Sequence, residues 1–415
     1  MKLNRQNHGT SQRGSTLILA LASLLMLLAM AGFAIDALTL YVARTDAQRA
    51  ADAAALAGAK IFVSSACTTS ANCTSPSTQT LVRQQAEGAG AQNKVFGQYA
   101  SIADSDVTFP PSPTGDLNNP MVQVKVQRVV PTLFMGALSR MLGGNVNGIT
   151  VAATATAEAF NPTGSNIPFA TSCVKPWLIP NCDPTHATPT NGQCAGGSFG
   201  YLVNPTNNTV SNPGVYPTGV IGMPWQLHSA SAPSQFGEAS FDGSESKSEY
   251  RTNIETCSSA LFHCGDTIYT INGKAVGPTD QGVDNLINAS SDGLNHGQDT
   301  LDTSTGPPFV IQAGSNNPFF PPGTTLSANQ STSVVTVPVY NGAPLCPGKS
   351  CGNTQTVVGF LQLFVKDVVH SGPDDNIDTV ILNVVACGSN SGTGNGPPVT
   401  GGAATLIPVR LVRNP

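Results

Sequence analysis

The sequence predicts an α+β fold: a long N-terminal transmembrane helix that continues outside the membrane, followed by a mainly β extracytoplasmic region. Three observations predict it. No charged residue occurs from Ser15 to Ile35, an Ala-dominated run with no proline follows from Ala37 to Ile61, and short β-branched or alternating runs then recur between Gly, Pro and Asn turns.

The first stretch carries Leu17, Leu21, Leu25, Leu28 and Phe33, and as a helix it is long enough to cross ~30 Å of hydrocarbon. Lys2, Arg5 and Arg13 precede it with no acidic residue among them. The positive-inside bias therefore keeps the N-terminus in the cytoplasm and sends the rest of the chain out, across a bacterial inner membrane. Phe33 and Tyr41 suit the headgroup region at the outer end, and Asp36 falls at or just beyond that boundary, where interfacial solvation is its simplest reading. A cleaved signal peptide competes, because Ala29-Met30-Ala31 resembles a small-residue cleavage site. Against cleavage stands continuity: the run to Ile61 has no breaker except Gly58.

In that extension Arg44, Asp46, Gln48, Arg49 and Asp52 mix with small residues that include Ala51, Ala54 and Gly58. Small residues on one face let another helix approach closely, while high helix propensity alone accounts for the same composition.

Four segments follow from the pattern: a cytoplasmic tail (1–14), the transmembrane helix with its extension (15–63), a membrane-proximal α+β region (64–160) and a β-rich extracytoplasmic domain (161–415). The membrane-proximal region holds a polar loop from Ser64 to Thr80, a short helix from Leu81 to Phe96, and strands at Val107–Phe109, Val122–Val130 and Val151–Phe160. Turn formers at Asn161–Asn166 mark the break after it. Beyond it, Tyr201–Asn204, Thr267–Asn272, Phe309–Gln312, Ser333–Tyr340, Val357–Val369, Thr379–Ala386 and Leu406–Val412 read as strands, with a low-complexity loop, Gly388–Ala404, before the last.

Charged residues are 10% of the 415 and the net charge is −5, with no basic run in the body; nucleic acid is not an expected partner. All ten cysteines (Cys67, Cys73, Cys173, Cys182, Cys194, Cys257, Cys264, Cys346, Cys351 and Cys387) lie beyond the apolar segment, as an oxidising compartment requires. Spacing lets Cys67/Cys73, Cys257/Cys264 and Cys346/Cys351 each close a short loop, but connectivity is not legible. With no CxxC, disulfides are favoured over zinc or redox motifs.

Catalytic patterns lack their context. Ser198 sits in a GxSxG without the strand and helix of a nucleophile elbow, and Ser244 opens an SxxK with no KTG to complete it. His186 and His263 lie near cysteines but read as surface residues, and Asp374–Asp378 reads as a solvated hairpin turn rather than a Ca²⁺ site. Neither a catalytic residue, a cofactor, a metal nor a small-molecule substrate is expected.

Arg13-Gly14, the apolar span, Phe33-Ala34-Ile35-Asp36, Tyr41, Arg44 and Gln48-Arg49-Ala50-Ala51-Asp52-Ala53-Ala54-Ala55-Leu56-Ala57-Gly58-Ala59 resemble the N-terminal segment of TadG-like (TadE/TadG-like) proteins of the Flp, or tight adherence, pilus-assembly system. A strand at Val122–Val126, a short apolar helix around Thr132–Leu142 and an alternating strand at Val151–Phe160 are a layout also seen in such proteins. The resemblance implies a structural, non-enzymatic inner-membrane component of pilus assembly that meets other pilus-assembly membrane proteins or pilus subunits. Two departures qualify it. Leu19 stands where true pilins carry Glu, which counts against prepilin-peptidase processing at Gly14-Ser15. Asp302-Thr303-Ser304-Thr305-Gly306 lacks the second Ser and the apolar strand of a von Willebrand factor A metal site. The alternative is a secreted or surface-exposed binding protein or adhesin released by N-terminal cleavage.

Overall fold

The computed structural model describes residues 12–65, 76–111, 119–145, 148–159, 170–184, 200–204, 210–212, 214–228, 237–258, 260–271, 275–289, 298–304, 306–341, 354–371, 374–386 and 409–412. The chain opens with α1 (Gln12–Ser64), a single helix of 53 residues, then α2 (Pro76–Gly90), the small pair β1 (Lys94–Val95) and β2 (Gln98–Tyr99), β3 (Val107–Thr108), β4 (Met121–Val130), α3 (Phe134–Met141) and β5 (Ile149–Ala159). Next come β6 (Ala170–Thr171), β7 (Trp177–Pro180), β8 (Pro224–His228), β9 (Gly237–Ser240), α4 (Lys247–Glu255), β10 (Phe262–His263), β11 (Thr267–Thr270) and α5 (Val276–Ile287). The last elements are β12 (Thr300–Asp302), β13 (Val310–Gln312), β14 (Thr325–Leu326), β15 (Val334–Tyr340), β16 (Thr354–Ser371), β17 (Asp374–Ala386) and β18 (Val409–Val412). This is the α+β class the sequence predicts, with one long apolar helix ahead of a mainly β body.

The second half of α1 is the central helix of the first folded layer. Its buried positions, Ala43, Ala47, Ala50, Ala51, Ala54, Ala55, Ala59, Phe62 and Val63, recur at helical spacing and are almost all alanine. A face without bulk lets the helix lie close to a four-stranded sheet of order β18-β5-β4-β3, whose Val122, Val124, Val126, Ala153, Ala155 and Ala157 complete the same core. On the other flank Gly58 meets α2: a Cβ there would stand 3.2 Å from Val82 Cγ1 and 3.4 Å from Ala86 Cβ. The C-terminal strand β18 pairs with β5, and Arg410 meets the buried carboxylate of Glu158, so the end of the chain returns to this layer. The sheet strand expected at the terminus is thus present, in this four-stranded sheet.

The larger sheet has the order β11-β9-β7-β15-β16-β17-β8, and β11 also pairs with the start of β16, closing β11, β9, β7, β15 and β16 into a barrel-like ring. β16 and β17 form a long antiparallel hairpin from Gly359↔Ala386 to Ser371↔Asp374, so Asp374–Asp378 begins a strand at the hairpin end. β12, β13 and β14 form a separate three-stranded sheet over Phe364, Val380 and Leu382.

Two helices, α4 and α5, were not expected in the second region. Ser246 caps α4, its hydroxyl accepting from the Glu249 N–H, so the Ser-rich stretch holding the SxxK pattern is a helix start. At the other end the Lys175 ammonium, buried in β7's approach, donates to Ile254 O at 2.6 Å and Thr256 O at 2.7 Å and satisfies carbonyls the helix leaves open. Tyr250 and Thr279 join the two helices by hydroxyls 3.0 Å apart.

The cysteine pattern needs a correction. Cys257 pairs with Cys173, 84 residues away, and not with Cys264 in a short loop. The pairing ties the segment after α4 to the segment before β7 and constrains a long stretch of unfolded chain. Cys182 and Cys264 are also disulfide-bonded. Cys67, Cys73, Cys194, Cys346, Cys351 and Cys387 lie outside the described residues, as do Ser198, His186, the Asn161–Asn166 break and the Gly388–Ala404 loop.

Burial pushes the Lys175 ammonium down from its ordinary 10.5 to about 8. Between those two values the unfolded chain holds a proton that the folded chain has released, so stability rises with pH through this window, by a total on the order of 3 kcal/mol. Denaturant unfolding with disulfides intact, at steps from about pH 8 to 10, should give this rise in the wild type and a flatter profile in Lys175→Met. Parallel profiles would show that Lys175 does not titrate in that window.

Candidate membrane anchor and the Asp36 cap

The first half of α1 meets no protein over most of its surface. Its most apolar 18-residue window has a mean hydropathy of 2.6 and is 6% buried, so the helix is long and apolar enough to cross a membrane. Leu17, Leu21, Leu25, Leu28, Phe33 and Tyr41 are all exposed, as are Ile18, Met26, Leu38 and Val42. The change from exposed leucine to buried alanine comes between Val42 and Ala47, within one unbroken helix. Two surroundings are therefore met by one element, with bulky side chains for the first and alanines for the second.

The expected site residues divide along this line. Ala51, Ala54 and Gly58, read as a face for helix association, are buried within the chain's own sheet and α2. Arg44 is exposed beside them, and Asp52 accepts from Gln48 Nε2 at 2.8 Å, an i,i+4 pair along the helix.

Asp36 differs most from its expected role. It is 4% exposed rather than solvated, and its two carboxylate oxygens accept the backbone N–H groups of Leu133 (3.0 Å), Phe134 (3.0 Å) and Met135 (2.7 Å). These are the donors that the start of a helix leaves unpaired, so a side chain of α1 caps α3 from outside. The negative charge also faces the positive end of the α3 dipole. Three charge-assisted bonds converge on one carboxylate because the β4–β5 hairpin delivers its tip there: Val130 and Val151 pack at Ala43, and the chain between those strands forms α3.

Below the cap, α3 lies against α1. At Gly32 a Cβ would stand 2.3 Å from Phe134 Cδ1, so this glycine is what lets the ring sit on the helix. Met26, Met30 and Phe33 of α1 and Phe134, Leu138 and Met141 of α3 line an apolar groove of about 580 Å³. Sequence reading found Asp36 and the short apolar helix separately. It missed their contact, which spans 97 to 99 residues.

The chemistry weighed in the sequence finds no assembled centre among the described residues. Ser244 takes part in a turn, its N–H donating to Asp242, and the Ser304 N–H likewise donates to Asp302, closing a turn after β12. His263 stands 3.3 Å from Asp266 in an exposed pair. A cavity of about 480 Å³ between the end of α1 and β12–β14 is lined by apolar groups, hydroxyls, amides such as Gln362 and Asn383, and Lys60, without His, Cys, Asp or Glu. No group of three or more His, Cys, Asp or Glu stands close enough to hold a metal among the described residues.

Residues 14–60 match the model of the Tad family, described as Flp pilus-assembly TadE/G-like. The match covers the exposed half of α1, Asp36 and most of the buried alanine face. It is the segment on which the sequence resemblance rests, and it confirms that resemblance there. No curated protein and no solved structure matches the chain significantly.

Replacing Asp36 with Ala removes a charged acceptor from three donors and should loosen the α3 start by about 2 kcal/mol. Hydrogen exchange on the membrane-reconstituted protein should then be about 10- to 100-fold faster at Leu133, Phe134 and Met135, with β16 and β17 unchanged. Unaltered exchange at these amides would mean that the cap does not hold α3.

Proposed function

We propose that the protein is a single-pass, membrane-anchored structural component of Flp pilus assembly, without enzymatic activity. The N-terminus lies in the cytoplasm and the body outside the inner membrane. The observation that carries this reading is a coincidence: the Tad family match, residues 14–60, falls on the helix that passes from an exposed apolar half to a buried alanine half. Such a helix fixes a folded body to a membrane with no flexible joint between them, which suits a part that must hold other parts in place. Its partners on this reading are pilus-assembly membrane proteins or pilus subunits that meet the β-rich body.

Intact mass and N-terminal sequencing of native protein from membrane, periplasmic and supernatant fractions test the anchoring. A full-length chain confined to membranes is the expected result; a mature start near Gly32 or Ser15 in released material would assign the protein to the secreted class.

The assembly role is tested by replacing residues 1–30 with a cleavable export signal. The alanine face of α1 stays in place, so a folded periplasmic protein is expected, yet one that fails to restore surface Flp pili in a deletion strain. Normal piliation would sink the role of the anchor.

A further inference from the structure

We propose that α3 is a second membrane element, a short re-entrant helix lying in the outer leaflet beside α1, with its outward side chains against lipid acyl chains. The inference rests on the reading of α1 as a membrane anchor.

Register places it there. The charge-free stretch Ser15–Ile35 spans about 30 Å as a helix. The groove wall contributed by α1, Met26 to Phe33, belongs to the outer half of that stretch. Whatever packs beside this wall sits at leaflet depth.

The surface of α3 fits that surrounding. Leu133, Leu138, Met141 and Leu142 are 71%, 55%, 86% and 79% exposed, and Phe134 is 45% exposed. In water this cluster would be a large unshielded apolar patch on one hairpin tip. It is continuous with the exposed Met26, Met30 and Phe33 of α1, so one solvent must serve both.

The open backbone groups at both ends of the α3 helix have partners, as hydrocarbon demands of a helix that enters it. Asp36 takes the leading N–H groups. At the other end Gly143, at φ +82°, lets the chain turn back so that Gly144 N–H donates to Ser139 O at 2.8 Å and Gly143 N–H to Arg140 O at 3.2 Å. The same three N–H groups compensate the Asp36 carboxylate, which would be costly to bury unpaired at the edge of hydrocarbon.

Charge limits the depth. Arg140, exposed in the last turn, is the only charged residue between Arg128 and Glu158 in the sequence. A long guanidinium side chain reaches lipid phosphates from a few ångströms inside the leaflet, but is costly at the midplane. α3 therefore stays within the outer leaflet, with the Arg140 side chain directed back toward the surface.

Nitroxide labels on the full-length protein, disulfides intact, test this in bilayers of phosphatidylethanolamine and phosphatidylglycerol. Single cysteines are introduced by Leu138→Cys and Met141→Cys in α3, with Leu25→Cys as the lipid reference and Phe319→Cys, 74% exposed in the β-rich body, as the aqueous one. Relaxation by oxygen relative to a water-soluble nickel chelate should be several-fold higher at 138 and 141 than at 319, approaching the value at 25. Aqueous values at 138 and 141 with a lipid value at 25 would overturn the re-entrant helix and leave the anchor standing. Shielding of 138 and 141 from both reagents would overturn it in favour of a second protein chain on that face. An aqueous value at 25 would remove the anchor and the proposal together.

Discussion

One helix has to satisfy two surroundings, and the rest of the molecule is arranged around that constraint. A helix cannot change its backbone between an exposed apolar stretch and a protein core, so the change is made in side-chain size. Leucine, methionine and phenylalanine stand outward from Leu17 to Val42, and alanine turns inward from Ala43. The alanines matter for distance rather than for area. Each buries little surface, but together they let β4 and β5 approach the helix axis, and the valines of those strands supply the apolar bulk. The four-stranded sheet exists in this form because the helix face it covers is nearly flat. The same flatness explains why Gly58 and Ala54 are met by Val82, Ala86 and Gly90 of α2 on the adjoining side.

How much of this was legible in the sequence depended on whether the signal was local. The charge-free run and the alanine run announce α1 because both periodicity and composition are contained in the segment. β15, β16 and β17 are legible for the same reason, each carrying a dense local run of β-branched and other apolar residues. α5 escaped because Pro278 and Gly282 lie within Val276–Ile287 and read as breakers. Gly282 is nevertheless where Ile254 comes closest, 3.0 Å from a would-be Cβ, so the residue that hid the helix is the one that packs it. α4 escaped because only Tyr250 and Ile254 are buried on it, too few for a periodic stripe.

What the sequence could not carry were the pairings between distant segments. Cys257 is seven positions from Cys264 but bonded to Cys173, because the fold brings the end of α4 back to the start of β7. Local spacing favours the short loop and tertiary structure overrides it. Asp36 is the same case in a polar group. By itself a carboxylate at the end of an apolar span reads as solvated, and nothing within the span offers donors. The donors come from a hairpin tip that begins beyond residue 130, and their convergence on Asp36 is a property of the fold alone.

The cap also bears on whether the N-terminal span stays attached. A cut after Ala31 would leave Ala43–Val63, the sheet and the barrel-like ring untouched, so the body does not need the span in order to fold. α3 does. Met26 and Met30 form the inner part of the α1 wall of its groove, with Phe33 and Ala34 above them, and without the two methionines Leu138 and Met141 would face water on the inner side as well as the outer. Asp36 would then hold the start of a helix whose apolar surface had lost much of its packing along that wall. On the proposed anchored reading every part of this tip has a use: Asp36 closes the backbone, Gly32 seats the ring, and the exposed leucines and methionines are what would meet lipid.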